Sequence, residues 1–502
     1  MSADLSPEPG PDLEYPETSI TVPVLAGMGV NLVSLAIGEP YTMAALGLLT
    51  GLAATFLWSR RPLAWLIFAA VLSANPANTT TPVALNLFCA GSFLVFMRRS
   101  GWKALPRLSQ LALGFVLLSM IISVLAAFLS EGSKPLFNPT AAGRIWATTW
   151  TRGASMEALI SQGVALVNYL LGPFLLIPLV FSRIHREHDS ALLLKGLVYG
   201  LLMPTLLLFL LARTFGRPVI DTNALSENML NVSTFHLGKL DIQMIRTQVG
   251  IILAALICAS FAVVVSQAQR TTRLAATGCL GTAAYMLLVT GSVGSTLSAL
   301  AGIMLILVLG KQRFSLKRYL VLLSAAVVLG LASWAFLPSG VQKYAESRYE
   351  TRVSHSGSST DDRSWRWRKS FNFLMDNPSG VGWSLYIEPL GTYPHNDYLT
   401  YAIAYGLLCG LVYLFDVTGL LYAFVSVSTA RLDPSRFALA LVGAGTLAAV
   451  VINSMSDHLT SNRWYFNVVW SVIWYAFFAS RALLRPSTQR PAGTSSRGEG
   501  VR

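Results

Sequence analysis

The sequence predicts an all-α fold: a polytopic integral membrane protein of about 14 transmembrane helices with one large external loop. Three observations carry this expectation. Of 502 residues, 53% are hydrophobic and only 12% charged, against roughly 25% charged in a soluble domain. Apolar runs long enough to cross a ~30 Å hydrocarbon core recur along nearly the whole chain. The runs are continuously apolar and do not alternate, so their backbone groups are expected to be satisfied within helices and not between barrel strands.

An acidic, proline-rich segment over 1–20 (Asp4, Glu8, Asp12, Glu14, Glu17) precedes the first run. It lacks the basic stretch of a signal peptide, so the first run is expected to stay as a membrane segment. Spans are expected near 22–38, 40–58, 62–75, 82–97, 109–129, 158–181, 190–212, 247–268, 274–290, 293–310, 319–337, 397–425, 437–455 and 464–484. The membrane domain then covers 21–485, with an acidic cytoplasmic tail over 1–20 and a disordered basic cytoplasmic tail over 486–502.

Lys and Arg placement sets the expected orientation. Alternate loops hold Arg60/Arg61, Arg98/Arg99/Lys103/Arg107, Arg183/Arg186, Arg270/Arg273, Lys311/Arg313/Lys317/Arg318 and Arg431/Arg436, and the tail is basic from Arg481 onward. Under the positive-inside rule these loops and both termini are cytoplasmic, in a bacterial inner membrane. The net charge of +13 is mostly this topology signal, with anionic lipid as its partner. No basic patch sits on a soluble module, which argues against a nucleic-acid partner.

The large external loops are 130–157, 213–246 and 338–396. The last carries Lys343, Arg348, Arg352, Arg363, Arg366, Arg368 and Lys369, interleaved with Glu346, Glu350, Asp361, Asp362 and Asp376. Solvated surface pairs account for many of these charges. They account less well for all of them, because translocated loops tend to be depleted in Lys and Arg. The stretch Tyr393-Pro394-His395-Asn396-Asp397-Tyr398 then places an imidazole at the lip of a membrane helix. Ionisable groups there are costly and default to function, although His395 also suits a capping or local hydrogen-bonding role.

No cofactor or metal is expected. Cys89, Cys258, Cys279 and Cys409 fall in apolar spans and read as packing thiols. His185-x-x-His188 offers two ligands, too few for a closed site. Gly196-x-x-x-Gly200 and Gly291-Ser292-x-Gly294-Ser295 suit close helix packing better than phosphate cradling.

Three ordered motifs remain: Asp362-Arg363-Ser364-Trp365-Arg366-Trp367, Asn377-Pro378-Ser379-Gly380-Val381-Gly382, and His395-Asn396 followed after nine residues by Gly406. Together they resemble the O-antigen ligase and polymerase superfamily. In that family an Arg and a Trp open an external helix, a Pro-x-Gly-x-Gly turn ends it, and a His-Asn pair enters the next membrane helix. The resemblance covers roughly 246–415. The chain departs from the family in lacking an Arg in Thr290-Gly291-Ser292-Val293-Gly294-Ser295-Thr296, and in having Cys409-Gly410 where ligases carry Gly, Thr or Tyr.

The resemblance implies a GT-C-like helical membrane glycosyltransferase. Its reaction would be metal-independent, inverting transfer of a glycan from undecaprenyl diphosphate at the periplasmic face, in O-antigen or exopolysaccharide polymerisation. The alternative is a ligase passing the glycan to the lipid A-core of lipopolysaccharide. The implied partners are the lipid-linked donor, a glycan or lipid A-core acceptor, the bilayer and other polysaccharide-assembly proteins. Chemistry fits the residues to these roles. Arg246 and Arg363 are candidate diphosphate clamps, since a guanidinium keeps its charge and offers a bidentate fork. Arg246 also suits interfacial snorkelling, and Asp361 and Asp362 offer Arg363 a local partner. His395 is the candidate base; Asn396, Trp367 and Asp397 support it, and Asp397 and Glu388 are alternative bases. A transporter or a non-catalytic assembly partner stays open as another class. For the former, Asp416 is the main charged candidate within a span, about 28 Å below Asp397 at 1.5 Å per residue, toward the cytoplasmic end.

Overall fold

A computed structural model of the chain describes residues 20–37, 40–57, 62–73, 177–181, 189–215, 217–218, 234–237, 240–243, 246–266, 268–290, 292–311, 356–381, 390–391, 394–429, 432–455 and 463–481, with isolated positions between 313 and 346. The expected spans 82–97, 109–129 and 319–337, most of 158–181, and the 130–157 loop lie outside these residues.

The described elements are α1 (Thr21–Ile37), α2 (Pro40–Leu57), α3 (Pro62–Ser73), α4 (Ile177–Phe181), α5 (Ser190–Leu197) and α6 (Met203–Phe215). A π-helical turn over Val198–Leu202 joins the last two. After three short strands come α7 (Arg246–Val265), α8 (Arg270–Thr290), α9 (Val293–Gly310) and α10 (Ser356–Asp376). The series closes with α11 (Asp397–Tyr405), α12 (Leu407–Thr429), α13 (Pro434–Ser454) and α14 (Arg463–Arg481). Among the described residues, four stretches are long and apolar enough to cross a membrane: Ser190–Leu211, Val293–Gly310, Leu407–Thr429 and Pro434–Ser454.

The fold is helical, as the sequence predicts, with one small addition and one correction. β1 (Arg217–Pro218), β2 (Thr234–Leu237) and β3 (Leu240–Gln243) form a short antiparallel sheet in that order within the 213–246 loop. In the register of the β2–β3 hairpin, Phe235 stands opposite Ile242 and Leu237 opposite Leu240. The expected 397–425 span is not one helix; it breaks at Gly406 into α11 and α12.

Lipid supplies no hydrophobic drive between helices, so close approach of small residues has to supply the packing. The core is α7 against α8, α9 and α13. A Cβ at Gly302 of α9 would strike the Cys258 Sγ of α7 and the Gly445 carbonyl of α13, so α9 and α13 meet backbone to backbone with the α7 thiol beside them. Cys258, Cys279 and Cys409 are buried, unpaired thiols.

One end of this bundle is a polar knot. Asp433 caps α13, accepting from the N–H groups of Ser435 and Arg436. It also accepts from Ser190 Oγ at the head of α5 at 2.9 Å, and its other oxygen lies 3.2 Å from Arg436 Nε. Arg313, just past α9, donates to the Leu432 carbonyl at 2.8 Å and lies 4.3 Å over the Phe437 ring. The elements that carry the candidate site end at the opposite pole.

Candidate functional site at the α11–α12 fold-back

Gly406 has φ 99° and ψ 156°, a backbone region essentially closed to residues with a Cβ. The chain reverses there. Tyr398 and Tyr413 place their ring centroids 5.4 Å apart, and Tyr401 and Tyr413 4.5 Å apart. A Cβ at Gly410 would stand 2.6 Å from Ala402 Cβ. Residues 15 apart on a straight helix are separated by about 22 Å, so α11 must lie antiparallel against the first turns of α12.

The turn that ends α10 clamps this reversal. Leu407 N–H cannot reach Ile403 in helical fashion and donates to the Pro378 carbonyl at 2.9 Å; the Ile403 carbonyl accepts from Val381 N–H at 3.0 Å. The interrupted helical bond is thus replaced by two bonds to the turn. Gly380, at φ 82°, lies against the same point: a Cβ there would stand 2.5 Å from Gly406 N and 2.8 Å from the Tyr405 carbonyl carbon. The Pro-x-Gly turn and the distant Gly406 are therefore two faces of one backbone contact.

At the other end of α11, Asn396 is the N-cap. Its side-chain oxygen accepts from Leu399 N–H at 3.1 Å. Its Nδ2 donates to the Met455 carbonyl, just past α13, at 3.5 Å. Asp397 follows in the first turn and is fully buried, where the helix N-terminus favours an anion. His395, half-buried beside buried Pro394, has φ 50°. Among the described residues it is the only one other than glycine with positive φ. Such a conformation costs on the order of 1–3 kcal/mol and persists where surroundings impose it.

A buried polar cluster adjoins the same pole. Asn453 Nδ2 donates to Ser295 Oγ at 3.3 Å, and Ser292 and Ser295 share a hydrogen bond of 2.9 Å. A Cβ at Gly250 would stand 2.5 Å from Ser295 Oγ, so α7 presses directly on the head of α9. Arg246 opens α7 one turn before Gly250 on the same face; its side chain lies outside the described residues. Sequence reasoning missed this cluster. It read the Gly291–Ser295 stretch as small-residue packing, and the available signal was Asn453 in an apolar run.

Arg363, Trp367, Ser370 and Leu374 share one face of α10 at helical spacing, and α10 packs against α11. Arg363 is half-buried and Leu374 buried. Trp367 Nε1 and Ser370 Oγ are buried without a hydrogen-bond partner among the described residues. Lys369 Nζ lies 5.3 Å from the Trp365 ring centroid and beside Gly391, four residues before His395. Counted from the clamp, Arg363 lies about 21 Å back along α10 and Asp397 about 14 Å along α11.

The structure thus gathers His395, Asn396 and Asp397 at one helix head, and sets Trp367 on a helix packed against it. No group of three or more His, Cys, Asp or Glu side chains able to hold a metal occurs among the described residues. His185 and His188 lie outside them.

Residues 278–415 match the sequence profile of the family described as O-antigen ligase. The match runs from α8 into α12 and takes in Ser292, Arg363, Trp367, His395, Asn396, Asp397 and Gly406, while Arg246 and Asp416 fall outside it. No curated protein matches the chain.

Proposed function

We propose, from the O-antigen ligase-type segment that residues 278–415 carry, that this membrane protein transfers a glycan from undecaprenyl diphosphate to an acceptor hydroxyl at the periplasmic face, as a surface-polysaccharide polymerase. The observation that carries the reading is the strained His395 backbone, fixed by the Asn396 cap at the head of α11 and by the Gly380–Gly406 clamp that joins α11 to the arginine-bearing helix α10. Strain of this kind is found where geometry matters to chemistry.

In the proposed reaction the acceptor hydroxyl gives its proton to the His395 imidazole as its oxygen bonds to the anomeric carbon. The bond from that carbon to the diphosphate oxygen breaks on the opposite face, and its electron pair leaves with the lipid diphosphate. The anomeric configuration inverts. Arg363 and Arg246 hold the charge that gathers on the leaving group, a role fixed guanidinium groups fill without a metal. The imidazolium then releases its proton to water.

Arg363→Ala and Arg246→Ala are expected to lower transfer at least tenfold, with insertion intact and poor rescue by Lys, which lacks the bidentate fork. Turnover of purified lipid-linked donor checks this, and wild-type rates in both alanine variants would remove the clamp.

Orientation is part of the proposal. The 338–396 loop faces the periplasm and both termini the cytoplasm, with tails over 1–20 and 486–502 flanking the membrane domain. A membrane-impermeant thiol reagent should label Ser358→Cys in intact spheroplasts and Ser496→Cys only after permeabilisation. The reverse pattern sinks the reading.

Ligation to lipid A-core is the second reading, favoured by the description of the matched family. The missing Arg near Ser292 and the Cys409-Gly410 pair favour polymerisation. Glycans of a deletion strain separate the two. Single repeats on the surface indicate a lost polymerase, and full-length lipid-linked chains that never reach the core indicate a lost ligase.

A further inference from the structure

The last turn of α13 is joined to two other helix heads at once. Asn453 sits there, buried, at the end of the apolar run 447–452. A primary amide is costly among apolar side chains unless it is hydrogen-bonded, and Asn453 Nδ2 donates to Ser295 Oγ at the head of α9 at 3.3 Å. Two residues on, the Met455 carbonyl accepts from Asn396 Nδ2 at the head of α11 at 3.5 Å. Asn396 also caps α11 through its oxygen, so one side chain joins the start of α11 to the end of α13. The Ser295 end of this bracket continues into α7. A Cβ at Gly250 would stand 2.5 Å from Ser295 Oγ and 2.9 Å from Ser292 Cβ, and Arg246 opens that helix one turn earlier. A short chain of contacts therefore runs from the neighbour of His395 to the helix that Arg246 opens, and it passes through Asn453.

We propose that Asn453 is a positioning residue of the transfer site, holding the α11 head, and with it His395, in register with the heads of α7 and α9. The proposal rests on the His395 reading above, and its residue lies outside the segment that matches the family. Two brackets then share the placement of α11. The Gly380–Gly406 clamp sets one end of it against the turn that ends α10, the helix of Arg363. The last turn of α13 sets the other end against α9 and α7, the helix of Arg246. The base and the leaving group act on opposite faces of one anomeric carbon, where an error of about 1 Å can cost on the order of a hundredfold. Ser295 Oγ also shares a hydrogen bond of 2.9 Å with Ser292. An apolar side chain of similar shape at 453 therefore leaves that hydroxyl partnered and removes only the link between α13 and α9.

The experiment is single-turnover transfer by the full-length protein in detergent, with purified lipid-linked donor and acceptor both saturating. Asn453→Leu is expected to lower the rate about tenfold or more with the donor KM within about twofold of wild type, because the binding groups stay and their register with the base is lost. Ser295→Ala opens the same bond from the α9 side and gives the same readout if Asn453→Leu does not insert. The decisive comparison uses His395→Gly supplied with free imidazole, in which the base is no longer tethered to α11. There Asn453→Leu should change the rate by no more than about twofold, whereas a merely structural role lowers both rates alike. If imidazole returns no activity, Asn396→Ala takes the place of His395→Gly. It opens the bracket at its other end, so the combined loss should fall well short of the product of the two single losses. Equal losses with tethered and free base, losses that multiply with Asn396→Ala, or a wild-type rate in Asn453→Leu, or in Ser295→Ala where it stands in, overturn this proposal; an inactive His395→Ala then spares the His395 reading. Wild-type turnover in His395→Ala overturns both.

Discussion

His395→Ala is expected to lower single-turnover transfer by about 10²–10⁴-fold, the usual loss when a positioned general base is removed. The expectation rests on placement as well as residue type. Pro394 is buried before it, Asn396 caps the helix after it, and the intervening φ of 50° leaves His395 little freedom to relocate. Positive φ suits glycine better than alanine, so His395→Gly should melt no lower than His395→Ala. The glycine variant also leaves room at the helix head, and added imidazole should return part of its activity. Donor and acceptor must both be saturating, since weaker binding would otherwise pass for slower chemistry. An unchanged rate in His395→Ala removes the base, and an unchanged rate in a His395→Ala/Asp397→Asn double variant removes the whole site.

The second large effect is expected at Gly406, far along the chain from the arginines. Gly406→Ala has to place a Cβ in a backbone region near φ 99° and about 3.0 Å from the Ser379 carbonyl oxygen. Strain of this type is worth on the order of 1–3 kcal/mol, and the nearby atom is backbone that cannot swing away. Gly380→Ala meets Gly406 N at 2.5 Å. Each variant should lower the thermal midpoint of the purified protein and depress transfer by at least tenfold through misplacement of the α11 head. Because both glycines form one contact, the double variant should cost clearly less than the sum of the two single losses. Full additivity in a double-mutant cycle would show that the clamp is not a single contact.

Much of the helical bundle was legible because hydropathy reports burial in lipid directly. The heads and tails of α7, α9 and α13 fall within a few residues of the runs read from composition. The fold-back was not legible. The stretch across Gly406 is apolar on both sides, and a glycine that reverses the chain looks, in sequence, like one that lets two helices touch. The same blindness put Asp416 about 28 Å from Asp397, a separation that holds only for a straight helix. The strands were missed for another reason. Thr234-Phe235-His236-Leu237 and Leu240-Asp241-Ile242-Gln243 are four residues each, and the two residues between them, Gly238-Lys239, are the available turn signal. At the candidate site, His395, Asn396 and Arg363 were readable from motif order, but the partnership of Gly380 with Gly406 was not. It is a contact between backbones, and residue identity records it only as the absence of side chains.

The hydrogen bond from Asn396 to the Met455 carbonyl sets an order of events during synthesis. A nine-residue helix such as α11 is about 14 Å long, too short to be recognised by the insertion machinery as a crossing. While the ribosome is still making α12, the segment around His395 is held only through α10 and its clamp. Its second anchor arrives only with the last residues of α13. A nascent chain halted before residue 455 should therefore leave His395 more open to proteases and chemical probes than a chain released beyond it.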